Sequence, residues 1–519
     1  MPNSATAMPI ASPGATAPAD ATRRIPMRRR AVGPVAVGVF GFLVAVIGSW
    51  VPSVWYDEAA TVTSATRSWA ALGREVQSVD LVHATYYALM HCWFAVVGYS
   101  PFTLRFPSAV AVALTAALIV LLGRRLAGDR VGVLGGVFFI LLPRVTWMGA
   151  EGRSFAIGAL LATAATLLLV QAVDRTSAGP RAWPWWIAYT VVSVLGGSVF
   201  LYLVLVTMSH GLIVVALQRL RRSALRRPLL AWAAAAGITV IALIPLAVAS
   251  SRQSAQISWI QHISRHTVEE VLVTEFSYKN AGFTVLLWAL VAAGFVAALR
   301  VPRIRQVLAV GVPWVAVPTI GLIVASVVTH PLYSPRYVAY AAPAAALLMA
   351  APFAFVPVRW IRPTVIVAVL LACALTAPTW ALQRTTTAKD DSAWNQVAAL
   401  IERQRLTEPN TAHDAALYGP VERHAKATSR IIAETYPHAF TGLRDPLLVT
   451  PAGASNGLWE TRRPLSDAGA VIGDASTVWL LTAVSPDDRS QATAALRPEG
   501  FHIAHEWKIA RTWVVRYQR

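Results

Sequence analysis

Charged residues are scarce in this sequence. They make up 14% of its 519 residues, whereas a soluble domain carries about 25%. Long apolar runs take their place, and 56% of the residues are hydrophobic. This composition excludes an ordinary soluble enzyme and predicts a polytopic α-helical protein embedded in a lipid bilayer.

Cysteine and nucleotide-binding motifs are scarce or missing as well. The two cysteines, Cys92 and Cys373, both lie in apolar runs, so no disulfide framework is predicted. The sequence contains no Walker loop, no dinucleotide-binding glycine motif and no His-Glu-x-x-His zinc motif. A nucleotide-dependent reaction is therefore unsupported, and the sequence predicts no required cofactor.

Apolar segments long enough to cross a bilayer, which takes about 20 residues, are abundant. The long stretch 184–218 is divided only by Gly196, Gly197 and Ser198, so ten or twelve spans are alternatives to eleven. The eleven candidate spans are 33–51, 107–123, 131–148, 154–173, 184–198, 199–218, 229–249, 282–299, 306–329, 337–357 and 363–381.

Basic residues are distributed unequally between the loops that join these spans. With a cytoplasmic N-terminus, the cytoplasmic segments carry 20 basic and three acidic residues, and the opposite loops before residue 385 carry 10 and 8. Because Lys and Arg mark cytoplasmic loops, the net charge of +19 is a signal of topology and not of nucleic-acid binding. We predict a multi-pass protein of the plasma membrane with its N-terminus in the cytoplasm.

The chain divides into three parts. Residues 1–32 begin with a stretch rich in Ala, Pro, Ser and Thr, which predicts a disordered cytoplasmic tail. Residues 33–384 form a transmembrane domain with an outward loop at 52–106, and its apolar segment 84–97 fits an interfacial helix. Residues 385–519 lack long apolar runs and mix helical with strand-like patterns, which predicts a soluble α/β domain. The odd number of spans places that domain outside the cytoplasm.

Polar residues collect at the predicted outer ends of the spans. Asp57 and Glu58 directly follow the first span, and ionisable residues beside a membrane are functional candidates by default. Acids in a first helical turn also offset the helix dipole, which is the simpler interpretation. A carboxylate can act as a general base, and arginine binds phosphate through paired donors. The further candidates on this side are His83, Tyr86, Tyr87, Glu151, Arg153, His330, Arg336 and Tyr337.

The order of these motifs resembles the GT-C superfamily of membrane glycosyltransferases. It is most similar to family 39, which contains the protein O-mannosyltransferases and the lipid A aminoarabinose transferase. The acidic pair follows the first span, and residues 83–91 are similar to the family's His-Pro-Pro-Leu-Tyr-Tyr, with Ala-Thr in place of the double proline. Residues 150–155 resemble Gln-Glu-Ala-Arg-x-Tyr, and residues 335–337 match Pro-Arg-Tyr. The similarity covers roughly residues 33–357.

The resemblance implies transfer of a sugar from a polyprenyl-phosphate donor to an extracytoplasmic acceptor, with inversion at the anomeric carbon. Asp57 would be the general base, and Glu58 would orient the acceptor or a bound cation. Arg153 and Arg336 would neutralise the donor phosphate. A divalent cation is not required, although Glu58 and Glu151 are candidate ligands for one. The residues that would contact the substrates are His83, Tyr86, Tyr87, Glu151, His330 and Tyr337.

The identities of the donor sugar and of the acceptor stay open. The high content of Ala, Arg and Val is typical of GC-rich genomes such as those of actinobacteria, where mannose or arabinose on decaprenyl phosphate would be natural donors. The acceptor would be a glycan, a glycolipid or a protein. The main alternative is a transporter or lipid flippase of cell-envelope precursors, which would carry ionisable residues near the bilayer midplane and internal repeats. A non-catalytic scaffold whose tail binds wall polymers is the third hypothesis.

Overall fold

The computed structural model describes residues 27–179, 181–407 and 413–519. Most of the predicted disordered tail lies outside these residues, and the first helix already begins at Met27, inside the predicted tail. The helices through the end of the membrane domain are α1 Met27–Val46, α2 Tyr56–Ala65, α3 Trp69–Ser78, α4 Ala84–Val97, α5 Pro101–Ala127, α6 Asp129–Leu141, α7 Pro143–Met148, α8 Phe155–Ala178, α9 Trp183–Val199, α10 Val204–Arg221, α11 Arg226–Ser251, α12 Arg265–Glu269, α13 Ala281–Arg300, α14 Pro302–Val328, α15 Ala342–Ala350 and α16 Val358–Leu382.

Within the described residues, eight helical segments are long and apolar enough to cross a membrane. They are α5, α8, α11, α13, α14 and α16, together with α10 and α15 extended by 3-10 turns. The other predicted spans, 33–51, 131–148 and 184–198, correspond to α1, to the pair α6 and α7, and to α9, which are not among these eight. The structure confirms a multi-pass helical membrane protein, and the count of eleven stays a prediction.

The long apolar stretch 184–218 forms two helices. The predicted division into 184–198 and 199–218 is confirmed to within two residues, because α9 ends at Val199 and the backbone of the next residue, Phe200, is extended (φ −151°, ψ 100°). The glycines serve packing. A Cβ atom at Gly197 would clash with the side chain of Leu243 on α11, so glycine there lets the two helices approach closely.

The segment between α1 and α5 forms three short helices. Asp57 and Glu58 lie in the first turn of α2, where acids are favoured by the helix dipole. The predicted interfacial segment 84–97 forms the helix α4. Ser100 and Thr103 make a capping box at the start of α5, which fixes where the chain enters the bundle again.

The C-terminal part has the predicted α/β character. Its sheet has the strand order β1 (Asp414–Tyr418), β6 (Thr477–Ala483), β8 (Thr512–Gln518) and β7 (His502–Ile509), with β1 and β6 parallel and the other pairs antiparallel. The sequence predicts four strands, at 415–418, 447–450, 478–482 and 512–517, and the edge strand β7 has no counterpart among them. The elements are α17 Trp394–Leu406, β1 Asp414–Tyr418, β2 Pro420–Val421, β3 His424–Thr428, α18 Arg430–Thr435, β4 Leu448–Thr450, β5 Thr461–Arg462, α19 Ala468–Val471, β6 Thr477–Ala483, α20 Arg489–Leu496, β7 His502–Ile509 and β8 Thr512–Gln518.

The C-terminal domain shares a hydrophobic core with the segment that carries the acidic pair. Val62 of α2 and Tyr87 of α4 are buried in one cluster with Trp394, Trp479 and Val514 of the C-terminal domain. The bundle has a separate core. The domain therefore covers the end of the bundle at which α2 begins, and we call this end the domain side.

Candidate active site

Asp57 and Arg336 form an ion pair on the domain side. The Asp57 Oδ2 atom lies 2.8 Å from Arg336 Nη1, and both side chains are partly exposed. Helix α2 supplies the carboxylate, and the 3-10 turn Pro335–Ala341 supplies the guanidinium. Arg336 also lies 4.6 Å from the ring centroid of Trp259 and 5.9 Å from that of Trp55. Two residues far apart in sequence, both predicted as site residues, are thus brought into direct contact.

Glu58, the neighbour of Asp57, has a different environment. Its carboxylate is fully buried and receives two hydrogen bonds from Arg105, at 2.8 and 2.5 Å. The backbone N–H of Gly152 donates a third. Burial alone would raise the pKa of Glu58, but the charges of Arg105 and Lys389 outweigh it and lower that pKa. Glu58 is therefore an ionised anchor that joins α2, α5 and the turn at residue 152.

A lysine missed by the sequence reasoning joins the two buried glutamates. Lys389 Nζ lies 3.2 Å from Glu58 Oε1 and also pairs with Glu151. The Trp55 indole N–H donates to the other oxygen of Glu151 at 2.8 Å, and burial raises the pKa of Glu151 even though Lys389 opposes it. The lysine ammonium therefore lies where Glu58 and Glu151 were candidate ligands for a cation. Among the described residues, His, Cys, Asp and Glu form no group of three that could hold a metal ion.

Arg153 is bonded to the protein rather than open to a substrate. Its Nη1 donates to the Asp57 carbonyl oxygen at 3.1 Å and to the Tyr87 hydroxyl at 3.2 Å. Its Nη2 lies 2.8 Å from His83 Nε2. Burial, together with Arg153 and Arg336, lowers the pKa of His83 well below its ordinary value, so the neutral ring accepts this hydrogen bond. The Tyr87 hydroxyl in turn donates to Asp80 at 2.7 Å.

The remaining predicted residues differ in their positions. Tyr86 is buried, and its hydroxyl has no hydrogen-bond partner among the described residues. The ring of Tyr337 lies 5.6 Å from the Arg336 guanidinium. His330 is exposed, and no contact joins it to the cluster within the part of the chain that the structure describes. Its assignment as a substrate contact stays a prediction.

A cavity of about 420 Å³ lies beside the ion pair, within the usual range of about 300–1,000 Å³ for small-molecule sites. Asp57 is not among the described residues that line the cavity. Its ion-pair partner Arg336 does line it. Basic side chains outnumber acidic ones, which are Glu270 and Asp390. The basic and aromatic lining residues are Arg144, Lys279, Arg336, Lys389, Trp55, Trp147 and Tyr278.

Comparison with known proteins gives matches in structure alone. No protein-family model and no curated protein matches the sequence. The structure of ArnT from Cupriavidus metallidurans in the apo state matches with a TM-score of 0.58 and 14% identity, over 94% of this chain and 98% of that chain. The same protein bound to undecaprenyl phosphate gives 0.56 with the same identity and coverage. Mycobacterial arabinofuranosyltransferase AftD gives 0.53 at 16% identity, over 95% of this chain and 40% of that one.

The chain has the GT-C fold. The fold implied by the sequence resemblance is thereby confirmed. At these sequence identities the similarity concerns the GT-C fold alone, and the reaction has to be inferred from the site.

The sequence did contain signals for two of the missed residues. Lys389 is one of only four lysines, and it stands in a polar run directly after the last span. Arg105 is a charged residue near the start of a membrane helix, where burial demands a partner. Neither signal identifies Glu58 as the partner, because Glu58 lies 47 residues from Arg105 in the sequence and even farther from Lys389.

Proposed function

We propose that this chain is a glycosyltransferase that moves a sugar from a polyprenyl-phosphate donor to an acceptor hydroxyl on the domain side of the membrane. The observation that carries the proposal is the Asp57–Arg336 ion pair beside the 420 Å³ cavity. This arrangement offers a base and a phosphate-binding group within one site at the membrane boundary. The GT-C fold, and the undecaprenyl phosphate bound to the similar ArnT structure, support a lipid-linked donor.

The proposed reaction is a single inverting displacement. Asp57 takes the proton of the acceptor hydroxyl while the hydroxyl oxygen forms a bond to the anomeric carbon. The bond from that carbon to the phosphate oxygen breaks, and the lipid phosphate leaves with the electron pair. Arg336 stabilises the charge that develops on the leaving phosphate. Its buried Nε has no partner among the described residues, so it retains a donor for this role.

Glu58 and Arg153 serve mainly to position Asp57 in this proposal. Glu58 fixes the first turn of α2 against α5, and Arg153 holds the Asp57 backbone carbonyl. Such supports matter because a catalytic group displaced by about 1 Å can lose roughly 100-fold in rate. The sugar would be of the mannose or arabinose type, and the active site would face the extracytoplasmic space.

The test is sugar transfer by the purified full-length chain in lipid nanodiscs. Decaprenyl-phosphate mannose and decaprenyl-phosphate arabinose would be offered with glycan, glycolipid and peptide acceptors. We expect D57N to lower turnover by roughly 100- to 10,000-fold, the usual contribution of a general base. E269Q, which neutralises an exposed acid at the end of α12, is the matched control and should keep full turnover.

Two results would contradict the proposal. Full turnover by D57N would exclude Asp57 as the base. Donor lipid that crosses the bilayer without any sugar transfer, at a rate unaffected by D57N, would favour the flippase alternative.

A further inference from the structure

Arg144 is a buried cation without an acidic partner. Its side chain is 3% exposed, and among the described residues no carboxylate lies within ion-pair distance of it. A buried charge normally has a counter-ion, because removing it from water is costly. An arginine in this position points to a partner that the protein itself does not provide.

The Arg144 guanidinium is held in one orientation. Its Nε donates to the Glu275 carbonyl oxygen at 3.0 Å, and its Nη2 donates to the Thr274 carbonyl oxygen at 2.8 Å. The ring centroids of Trp147 and Tyr278 lie 5.2 and 4.9 Å from its central carbon. These neutral groups orient the guanidinium without neutralising it. Its third nitrogen, Nη1, has no hydrogen bond to any described residue.

The carboxyl group of Glu275 does not supply the missing charge. The carboxyl of Glu275 is hydrogen-bonded by Thr319 Oγ1 at 2.8 Å and by the Tyr333 hydroxyl at 3.2 Å. Burial raises the pKa of Glu275 to about 8, so this group is largely neutral at pH 7. Only its backbone carbonyl contacts Arg144.

Arg144 and Arg336 both line the 420 Å³ cavity. We infer that Arg144, together with Arg336, binds the phosphate of a lipid-linked donor in this cavity. Guanidinium suits this role because its fixed fork matches the geometry of phosphate oxygens. The sequence assigned the role to Arg153 and Arg336, and the Nη1 and Nη2 atoms of Arg153 are hydrogen-bonded to protein groups. The lipid-linked nature of the ligand rests on the proposed function, whereas the anion site rests on Arg144 alone.

The test measures binding, so that it does not depend on turnover. The probes are undecaprenyl phosphate, undecaprenol and inorganic phosphate, each titrated into the full-length chain in detergent. We expect R144Q to weaken undecaprenyl phosphate binding about 10- to 100-fold, as for loss of a charged hydrogen bond, and to leave undecaprenol binding unchanged. R144K, which keeps the charge without the fork, should lie between R144Q and the wild type. R265Q removes an exposed arginine at the start of α12 and should bind like the wild type.

Several outcomes would overturn the inference. Equal affinity of R144Q and wild type for undecaprenyl phosphate would exclude Arg144 from the site. Equal weakening of undecaprenol binding would mean that the substitution damaged packing rather than an anion contact. If the melting temperature shows that R144Q does not fold, R144K is compared with the wild type instead. Wild-type affinity of R144K for undecaprenyl phosphate would contradict the proposed contact between the guanidinium fork and the phosphate.

The remaining outcomes separate this inference from the proposed function. If inorganic phosphate binds as tightly as the lipid phosphate, the anion site stands and the lipid source is wrong. If wild type binds undecaprenyl phosphate but transfers no sugar to any acceptor, the proposed function fails and the R144Q comparison still decides the role of Arg144.

Discussion

At the scale of single residues, the neighbouring acids Asp57 and Glu58 differ in burial, because Glu58 is fully buried and Asp57 is partly exposed. Successive residues on a helix point about 100° apart, so Glu58 enters the protein interior while Asp57 stays partly exposed and pairs with Arg336. The sequence predicts that this pair matters, but nothing in the pair itself says which acid is buried. That choice depends on Arg105 and Lys389, which approach Glu58 from distant parts of the chain.

The buried ion pair of Glu58 predicts a loss of stability in E58Q. Removing one partner of a buried pair costs about 3–5 kcal/mol, because the remaining charge is left uncompensated. The melting temperature of E58Q in detergent should therefore fall well below that of the wild type. E499Q, at an exposed acid of the C-terminal domain, should leave it unchanged. An unchanged melting temperature with abolished turnover would instead support a direct role of Glu58 toward the substrate.

Glu275 predicts a pH dependence of stability. Burial raises its folded-state pKa from 4.5 to about 8, so the folded chain holds a proton that the unfolded chain loses near its lower pKa. This contribution is fully present below the unfolded pKa and is lost as the pH rises through about 8. E275Q cannot ionise. Its melting temperature, measured relative to the wild type, should therefore rise between about pH 5 and about pH 9. Parallel curves would show that Glu275 is not held protonated.

At the scale of elements, the apolar helices were predicted better than the edge of the sheet. Long runs of apolar residues mark the spans without reference to tertiary contacts, whereas β7 presents a mostly exposed face with little alternation. The central strand β6 is fully buried, and its apolar run was recognised from the sequence. The contact of α2 and α3 with the C-terminal domain could not be predicted from the sequence, because it depends on single contacts such as those of Arg67.

The contacts of Arg67 link the turn between α2 and α3 to the C-terminal domain. The Arg67 guanidinium pairs with Glu75 at 3.1 Å and donates to the carbonyls of Ser455, Gly457 and Leu458. Alanine in its place would leave Glu75 buried without its ionic partner and would free the segment 455–458. We expect R67A to speed hydrogen exchange in this segment and in α2, and to lower turnover.

The exposed Arg74 of the same region is the matched control, and R74A should exchange like the wild type. Faster exchange at 455–458 with unchanged exchange in α2 would contradict the shared core, because both belong to one packed unit.

At the scale of the whole molecule, the site depends on which side of the membrane the C-terminal domain occupies. The helices that begin on the domain side end in basic residues at the opposite side, with Arg124 and Arg125 in the last turn of α5. Because basic residues mark the cytoplasmic side, the domain and Asp57 should be extracytoplasmic. Donors made in the cytoplasm would then have to arrive attached to a lipid, which agrees with a cavity on the domain side of the helices.

This topology predicts the labelling of single cysteines. With Cys92 and Cys373 replaced by serine, S466C places a thiol on the exposed surface of the C-terminal domain, and S223C places one between α10 and α11. A membrane-impermeant maleimide added to intact cells should label S466C at once and S223C only after permeabilisation. The reverse pattern would put Asp57 and the cavity in the cytoplasm, where soluble nucleotide sugars are available. The case for a lipid-linked donor would then lose its physical basis, because the site would no longer be separated from the soluble donor pool.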